Sequence, residues 1–205
     1  MLRSPRRTNT DKEVVMKKLI VFILAMLSIL PAVACAYDYW VINGRGGIAY
    51  PLGDMGTNNT MSYDFGASAR KGFDKEISAG GGVSFVNMPY KDPTAPSPFT
   101  ATVLDLELVY APYMPDLFIW PYAKIGAGLF LTRYVMLTGI APATTAVVDQ
   151  ESAFGIMLGG GVNYPISNEI AANAEVIYNQ VSIQGGQGDN YNFLTFDVGI
   201  TYYLK

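Results

Sequence analysis

From position 40 onward, apolar residues recur at every second position in eight stretches of 10 to 14 residues. A period of two places alternate side chains on opposite faces of an extended chain. The pattern predicts strands at Trp40–Tyr50, Ser62–Lys71, Glu76–Met88, Ala101–Ala111, Tyr122–Arg133, Ser152–Tyr164, Ile170–Ser182 and Tyr191–Leu204. One face of each is free of charge: Trp40, Ile42, Ile48 and Tyr50 in the first, for example, and Leu104, Leu106, Leu108 and Tyr110 in the fourth. The opposite faces carry Arg45, Asp64, Arg70, Glu76, Asp105, Glu107, Lys124, Glu175 and Asp197, diluted with Gly, Ser, Thr and Asn. Where a strand holds two charges, as with Asp64 and Arg70 or Asp105 and Glu107, both keep the same parity.

Period two does not say which face points inward. A soluble ligand-binding barrel would keep its apolar face inside and many Lys and Glu outside. Here the polar face is rich in glycine, as in "SAGGGVS" and "LGGGVNY", and would make a poor solvent surface. The apolar face holds more Leu, Phe and Tyr than an eight-stranded interior can take, since that interior is only wide enough for side chains to fill. Large apolar residues outside and small polar ones inside is the membrane arrangement, and 10 to 14 tilted residues suffice to cross hydrocarbon. The expected fold is therefore an all-β, eight-stranded, antiparallel up-and-down transmembrane barrel with a polar, side-chain-filled lumen. Closing the second hairpin around Gly72–Lys75 would set Arg70 opposite Glu76, Ser68 opposite Ser78 and Gly66 opposite Gly80. Gly72–Lys75 and Pro165–Glu169 read as tight turns on the periplasmic side, with Pro112–Pro121 a longer connection whose prolines suit a loop. The connections Pro51–Met61, Pro89–Thr100, Tyr134–Glu151 and Ile183–Asn190 read as outer loops.

Composition adds to this picture at three points. Charged residues are 15% of the chain, against about 25% in an average soluble domain. Histidine is absent, which removes imidazole-based acid–base and metal chemistry; no catalytic or cofactor-binding residue and no metal ligand is expected. Third, six of the 14 basic residues (Arg3, Arg6, Arg7, Lys12, Lys17 and Lys18) precede position 37, leaving 8 basic and 15 acidic groups beyond it. An acidic body of that kind argues against nucleic-acid binding.

The early basic residues belong to a different feature. "MKKLIVFILAMLSILPAVACA" (Met16–Ala36) joins two lysines to an apolar run from Leu19 to Leu30, then Pro31 and small residues. That run is too short to span a bilayer as a helix but fits a secretory signal, with Ala34 and Ala36 framing the cleavage site. The mature chain is expected to start at Tyr37, and residues 1–15 read as an over-extended start. An alternative takes Cys35 as the acylated first residue of a lipoprotein, a periplasmic ligand-binding module.

The stretch from about Trp40 to Lys205 resembles the small outer-membrane β-barrel family, the OmpA transmembrane domain and OmpX-like proteins. The last strand, "DVGITYYLK", carries the most specific likeness: polar Asp197, then Gly199, then Tyr202 and Leu204. The resemblance implies that these four residues form the signal read by the outer-membrane assembly machinery, with Lys205 departing from the usual aromatic terminus. It further implies a monomer in outer-membrane lipid with a non-enzymatic structural or surface-interaction role. A narrow conduit for small solutes, as in OmpW-like relatives, is the alternative. The charges on the inner face are expected to form a buried, mutually paired network.

Overall fold

The computed structural model describes residues 39–92, 98–112, 114, 116–138, 145–182 and 190–204. The predicted signal, its Ala34 and Ala36, Cys35 and Lys205 lie outside them. Eight strands close into one barrel: β1 (Trp40–Leu52), β2 (Ser62–Gly72), β3 (Ile77–Met88), β4 (Phe99–Tyr110), β5 (Trp120–Thr138), β6 (Thr145–Pro165), β7 (Ile170–Ser182) and β8 (Asn190–Leu204). Each pairs antiparallel with its neighbours in sequence, and β8 returns to β1 from Trp40↔Leu204 to Leu52↔Asn192. One end of the barrel carries the β2–β3, β4–β5 and β6–β7 turns together with Trp40 and Leu204; it is called the turn end. The other is the loop end.

The faces follow the alternation. Ile48, Phe65, Val83, Ile125, Leu158 and Val198 look outward and are exposed, whereas Asn43, Ser68, Asp105, Lys124, Asn173 and Thr195 look inward and are buried. Leu129 has outward parity yet is covered, lying between Leu104 and Phe154 in the register. The outward band is thus a continuous apolar surface, the inverse of a soluble barrel.

In the β2–β3 hairpin the expected register is not the observed one. Arg70 stands opposite Gly80, Ser68 opposite Gly82 and Gly66 opposite Ser84, a slip of four residues. The cause is the turn. The Asp74 carboxylate accepts the backbone N–H groups of Glu76 and Ile77, both at 2.7 Å, and Phe73 N–H donates to Ile77 C=O. These bonds centre the reversal two residues later than expected and leave Glu76 in the turn instead of in β3. A slip by an even number keeps every side chain on its face, so the two-sided pattern survives.

Three other boundaries differ. The expected loop Tyr134–Glu151 is largely ladder, since β5 and β6 stay paired from Tyr134↔Asp149 out to Thr138↔Thr145; its Val and Thr residues suit strand. The expected loop Pro51–Met61 begins with the last two residues of β1 and then forms a short helix, α1 (Gly53–Asn58). Its first residue, Gly53, has φ +57, a conformation glycine adopts without penalty. Pro121 lies within β5, not in the connection. Pro51, Pro121 and Pro165 each pair on one side only, beyond the point where the ladder on the other side has ended. A residue without an N–H loses nothing there.

Replacing Leu158, outward and 61% exposed, by Arg should destabilise the bilayer-inserted barrel by about 2–4 kcal/mol, measured by equilibrium urea refolding into liposomes. Asp64→Asn, on the inner face, should cost well below that. The reverse order would mean that the outward face does not meet lipid.

Candidate functional site

The interior has three layers. Midway along it lies a belt of eight charged residues: Arg45 from β1, Asp64 and Arg70 from β2, Asp105 and Glu107 from β4, Lys124 from β5, Glu175 from β7 and Asp197 from β8. Lys124 Nζ lies 3.0 Å from Glu175 Oε2 and 3.5 Å from Glu107 Oε2, and Arg70 Nη1 lies 3.5 Å from Glu107 Oε1. Arg45 Nε is 3.4 Å from Glu175 Oε1 and 3.5 Å from Asp197 Oδ2, ion-pair distances without hydrogen-bond alignment. Burial strengthens such pairs but makes an unpartnered charge costly, so Arg45, Arg70, Glu107, Lys124, Glu175 and Asp197 hold together as a unit. Glu76 stands apart from it, in the hairpin turn at the rim of the turn-end opening.

Glycines make room for this belt. Every one of the eight charges has a glycine directly across a ladder. Arg45 lies between Gly66 and Gly199, Asp105 between Gly82 and Gly128, and Glu107 between Gly80 and Gly126. Asp64 and Asp197 both face Gly47, Arg70 faces Gly80, Lys124 faces Gly159 and Glu175 faces Gly161. Gly80 shows why. It sits between Arg70 and Glu107 in the register, and a Cβ there would run into Ala69 C=O and, at 2.6 Å, Arg70 Cα. At Gly47 a Cβ would come within 2.5 Å of Asp197 Oδ1.

Toward the loop end the interior is apolar. Met88, Phe99, Val103, Phe130, Met157 and Phe193 form the body of a buried cluster, with Phe130 and Phe193 edge to face at 6.4 Å. Met55 of α1 caps it from above at 2% exposure. The β1–β2 and β3–β4 loops are tied over it: Thr60 N–H donates to Pro89 C=O, Lys91 N–H to Asn58 C=O, and the Asn59 side-chain amide to Met88 C=O. This apolar layer stands beside the polar, side-chain-filled part of the lumen that the alternation predicts. Its signal was available where alternation lapses, as in Phe99–Leu104, which is apolar on the inner side at Phe99, Ala101 and Val103 and on the outer at Leu104.

Toward the turn end lies a cavity of about 680 Å³. Arg70, Lys124 and Glu175 from the belt form its inner end, and Tyr39, Trp120, Tyr122 and Tyr203 stand along its wall. Tyr122 was not singled out from the sequence; its hydroxyl donates to Glu175 Oε2 at 2.8 Å. Nor was the amide–hydroxyl cluster in which Asn43 and Asn173 both donate to Thr201 Oγ1, at 3.0 and 2.8 Å. Among the described residues no group of three or more acidic or cysteine side chains is arranged to hold a metal ion.

Of the four residues assigned to the assembly signal, Tyr202 and Leu204 face outward, at 36% and 39% exposure. Asp197 belongs to the belt and Gly199 lies opposite Arg45.

A closed eight-stranded barrel, apolar outside and ion-paired within, defines the class. The family described as outer membrane protein beta-barrel domain matches residues 22–203, and the chain belongs to it. Among solved structures, Neisserial surface protein A is similar at a TM-score of 0.54 with 17% identity, covering 81% of this chain and 97% of that one. The outer membrane protein OprG of Pseudomonas aeruginosa is similar at 0.51 with 13% identity, covering 81% and 95%. At these identities the likeness is one of fold. No curated protein matches the chain.

Lys124 bridges two carboxylates, so Lys124→Met should take one cation from each, leaving Glu107 to Arg70 and Glu175 to Arg45 and the Tyr122 hydroxyl. The expected loss is about 3–5 kcal/mol in urea refolding. Adding Glu175→Gln to that variant should restore part of it, because one under-compensated buried charge disappears. A Lys124→Met barrel as stable as the parent would mean that the belt is not held by its ion pairs.

Proposed function

We propose that the chain is a non-catalytic, monomeric outer-membrane barrel with a plugged lumen, serving a structural or surface-interaction role. The observation that carries this reading is the stacking of two barriers in one lumen: the ion-paired belt and, above it, the capped apolar cluster. The absence of histidine from the sequence supports the non-catalytic reading. In this proposal the turn end faces the periplasm and the longer connections face the medium. The apolar face of every strand meets lipid, and β8 presents Tyr202 and Leu204 to the assembly machinery before it closes on β1.

A second reading, a narrow conduit for small solutes, is favoured by the cavity at the turn end, which would provide half of a path. Planar-bilayer recording separates the two. The plugged barrel should give no steady large channels, whereas reproducible currents that change on Lys124→Glu would favour the conduit.

The assembly reading has its own test. Deleting residues 202–205 removes both outward side chains and the last rungs against β1, so the product should be exported but remain uninserted and protease-sensitive. Recovery of a heat-modifiable barrel from that truncation would sink it.

A further inference from the structure

The β4–β5 connection, residues 111–119, is longer than either of the other two turns at its end of the barrel. Leu117, Phe118 and Ile119 follow one another in it without a charge, and all three are exposed. Phe118, at 73%, is the most exposed large apolar side chain among the described residues. Ile166, in the β6–β7 turn, is exposed as well. A turn surrounded by water gains nothing from such residues, and a cluster of them marks a contact surface. The β2–β3 hairpin shows the ordinary alternative, with Asp74, Lys75 and Glu76 in its turn.

The position of the cluster decides its partner. The Phe118 ring meets the Tyr164 ring edge to face, with centroids 4.7 Å apart. Tyr164 belongs to the outward face of β6, in line with Ile156 and Leu158. That strand is paired on both sides from Phe154 to Asn163, which puts Leu158 near the middle of the wall. Tyr164 lies six residues further on. At about 3.3 Å per residue and a tilt of about 40°, this is about 15 Å along the barrel axis. The apolar band of such a barrel is about 25 Å tall, so its edge falls about 12 Å from the middle. Tyr164 and Phe118 therefore stand just beyond the hydrocarbon, where acyl chains give way to headgroups and aromatic side chains are favoured. The exposed cluster continues the outward apolar band over the rim.

We propose that Leu117, Phe118 and Ile119, together with Ile166, form an interfacial lipid anchor. The β4–β5 connection lies on the leaflet at the turn end with its apolar side chains among the upper acyl-chain carbons, while Asp116 and the exposed Ser167, Asn168 and Glu169 stay in water. The anchor rests on the reading that the apolar strand faces meet lipid, and adds an asymmetry to it. The arc of the rim from β4 to β7 grips the leaflet, whereas the β2–β3 arc is charged and does not.

Depth-dependent quenching by brominated phosphatidylcholines tests this. Trp40→Phe and Trp120→Phe remove both tryptophans of the chain, and Phe118→Trp or Leu158→Trp then supplies a single reporter. Each protein is purified from membranes and reconstituted in vesicles. Phe118→Trp should lose most of its emission to bromines on the upper acyl carbons, less to bromines near the midplane, and little to iodide in the water. Leu158→Trp should show the opposite depth order. Should the tryptophan-free background fail to fold, the two reporters are placed in the parent chain and labelled with fluorotryptophan. The added fluorine resonance of each, broadened by spin-labelled lipids, then reads the same depths. A Leu158→Trp reporter untouched by lipid quenchers would overturn the reading that the strands meet lipid, and the anchor with it. Leu158→Trp quenched at the midplane while Phe118→Trp is open to iodide and not to lipid would overturn the anchor alone and leave the exposed cluster to a protein partner.

Discussion

Closure of β8 on β1 is the constraint on which the rest of the molecule depends. In hydrocarbon no water is available to an unpaired backbone N–H or C=O, so a sheet can cross only if it has no edge. The ladder from Trp40↔Leu204 to Leu52↔Asn192 removes the edge. It also brings Trp40 and Leu204 to the same rim, and it leaves the three strand prolines only the places where one neighbour has already ended.

Closure with eight strands sets the interior width, and that width dictates what can sit inside. A lumen just wide enough for side chains leaves little room where bulky residues meet across a ladder, as Met88 and Phe99 do toward the loop end. The belt meets this limit by setting a glycine across from each charge, so Arg45, Arg70 and Lys124 can reach carboxylates on other strands. The pairing is functional in a mechanical sense: the charges link β1 to β7 and β8, β2 to β4, and β5 to β4 and β7, bracing the wall from within. Above the belt the same narrowness is met by aromatic and methionine side chains, which fill space without asking for partners. Below the belt lies the cavity, lined in part by Tyr39 and by Ala111, Pro112 and Met114 of the β4–β5 connection.

The strand count, both faces of each strand, the tight turn near Pro165 and the identity of every belt charge could be read from residues alone. The reason is local: a period of two is a property of adjacent residues, and a bilayer rewards it on one side only. Glu76 and the β2–β3 register were misread because the Asp74 side chain, not the sequence spacing of Arg70 and Glu76, decides where that hairpin turns. Which charge meets which, the apposition of each with a glycine, and the role of Tyr122 depend on registers summed around the whole barrel. The apolar layer under α1 also arises only when the inner-facing Phe99, Phe130 and Phe193 of separate strands come to one height. Alternation along the chain thus determined which way each side chain points; closure in three dimensions decided what it meets there.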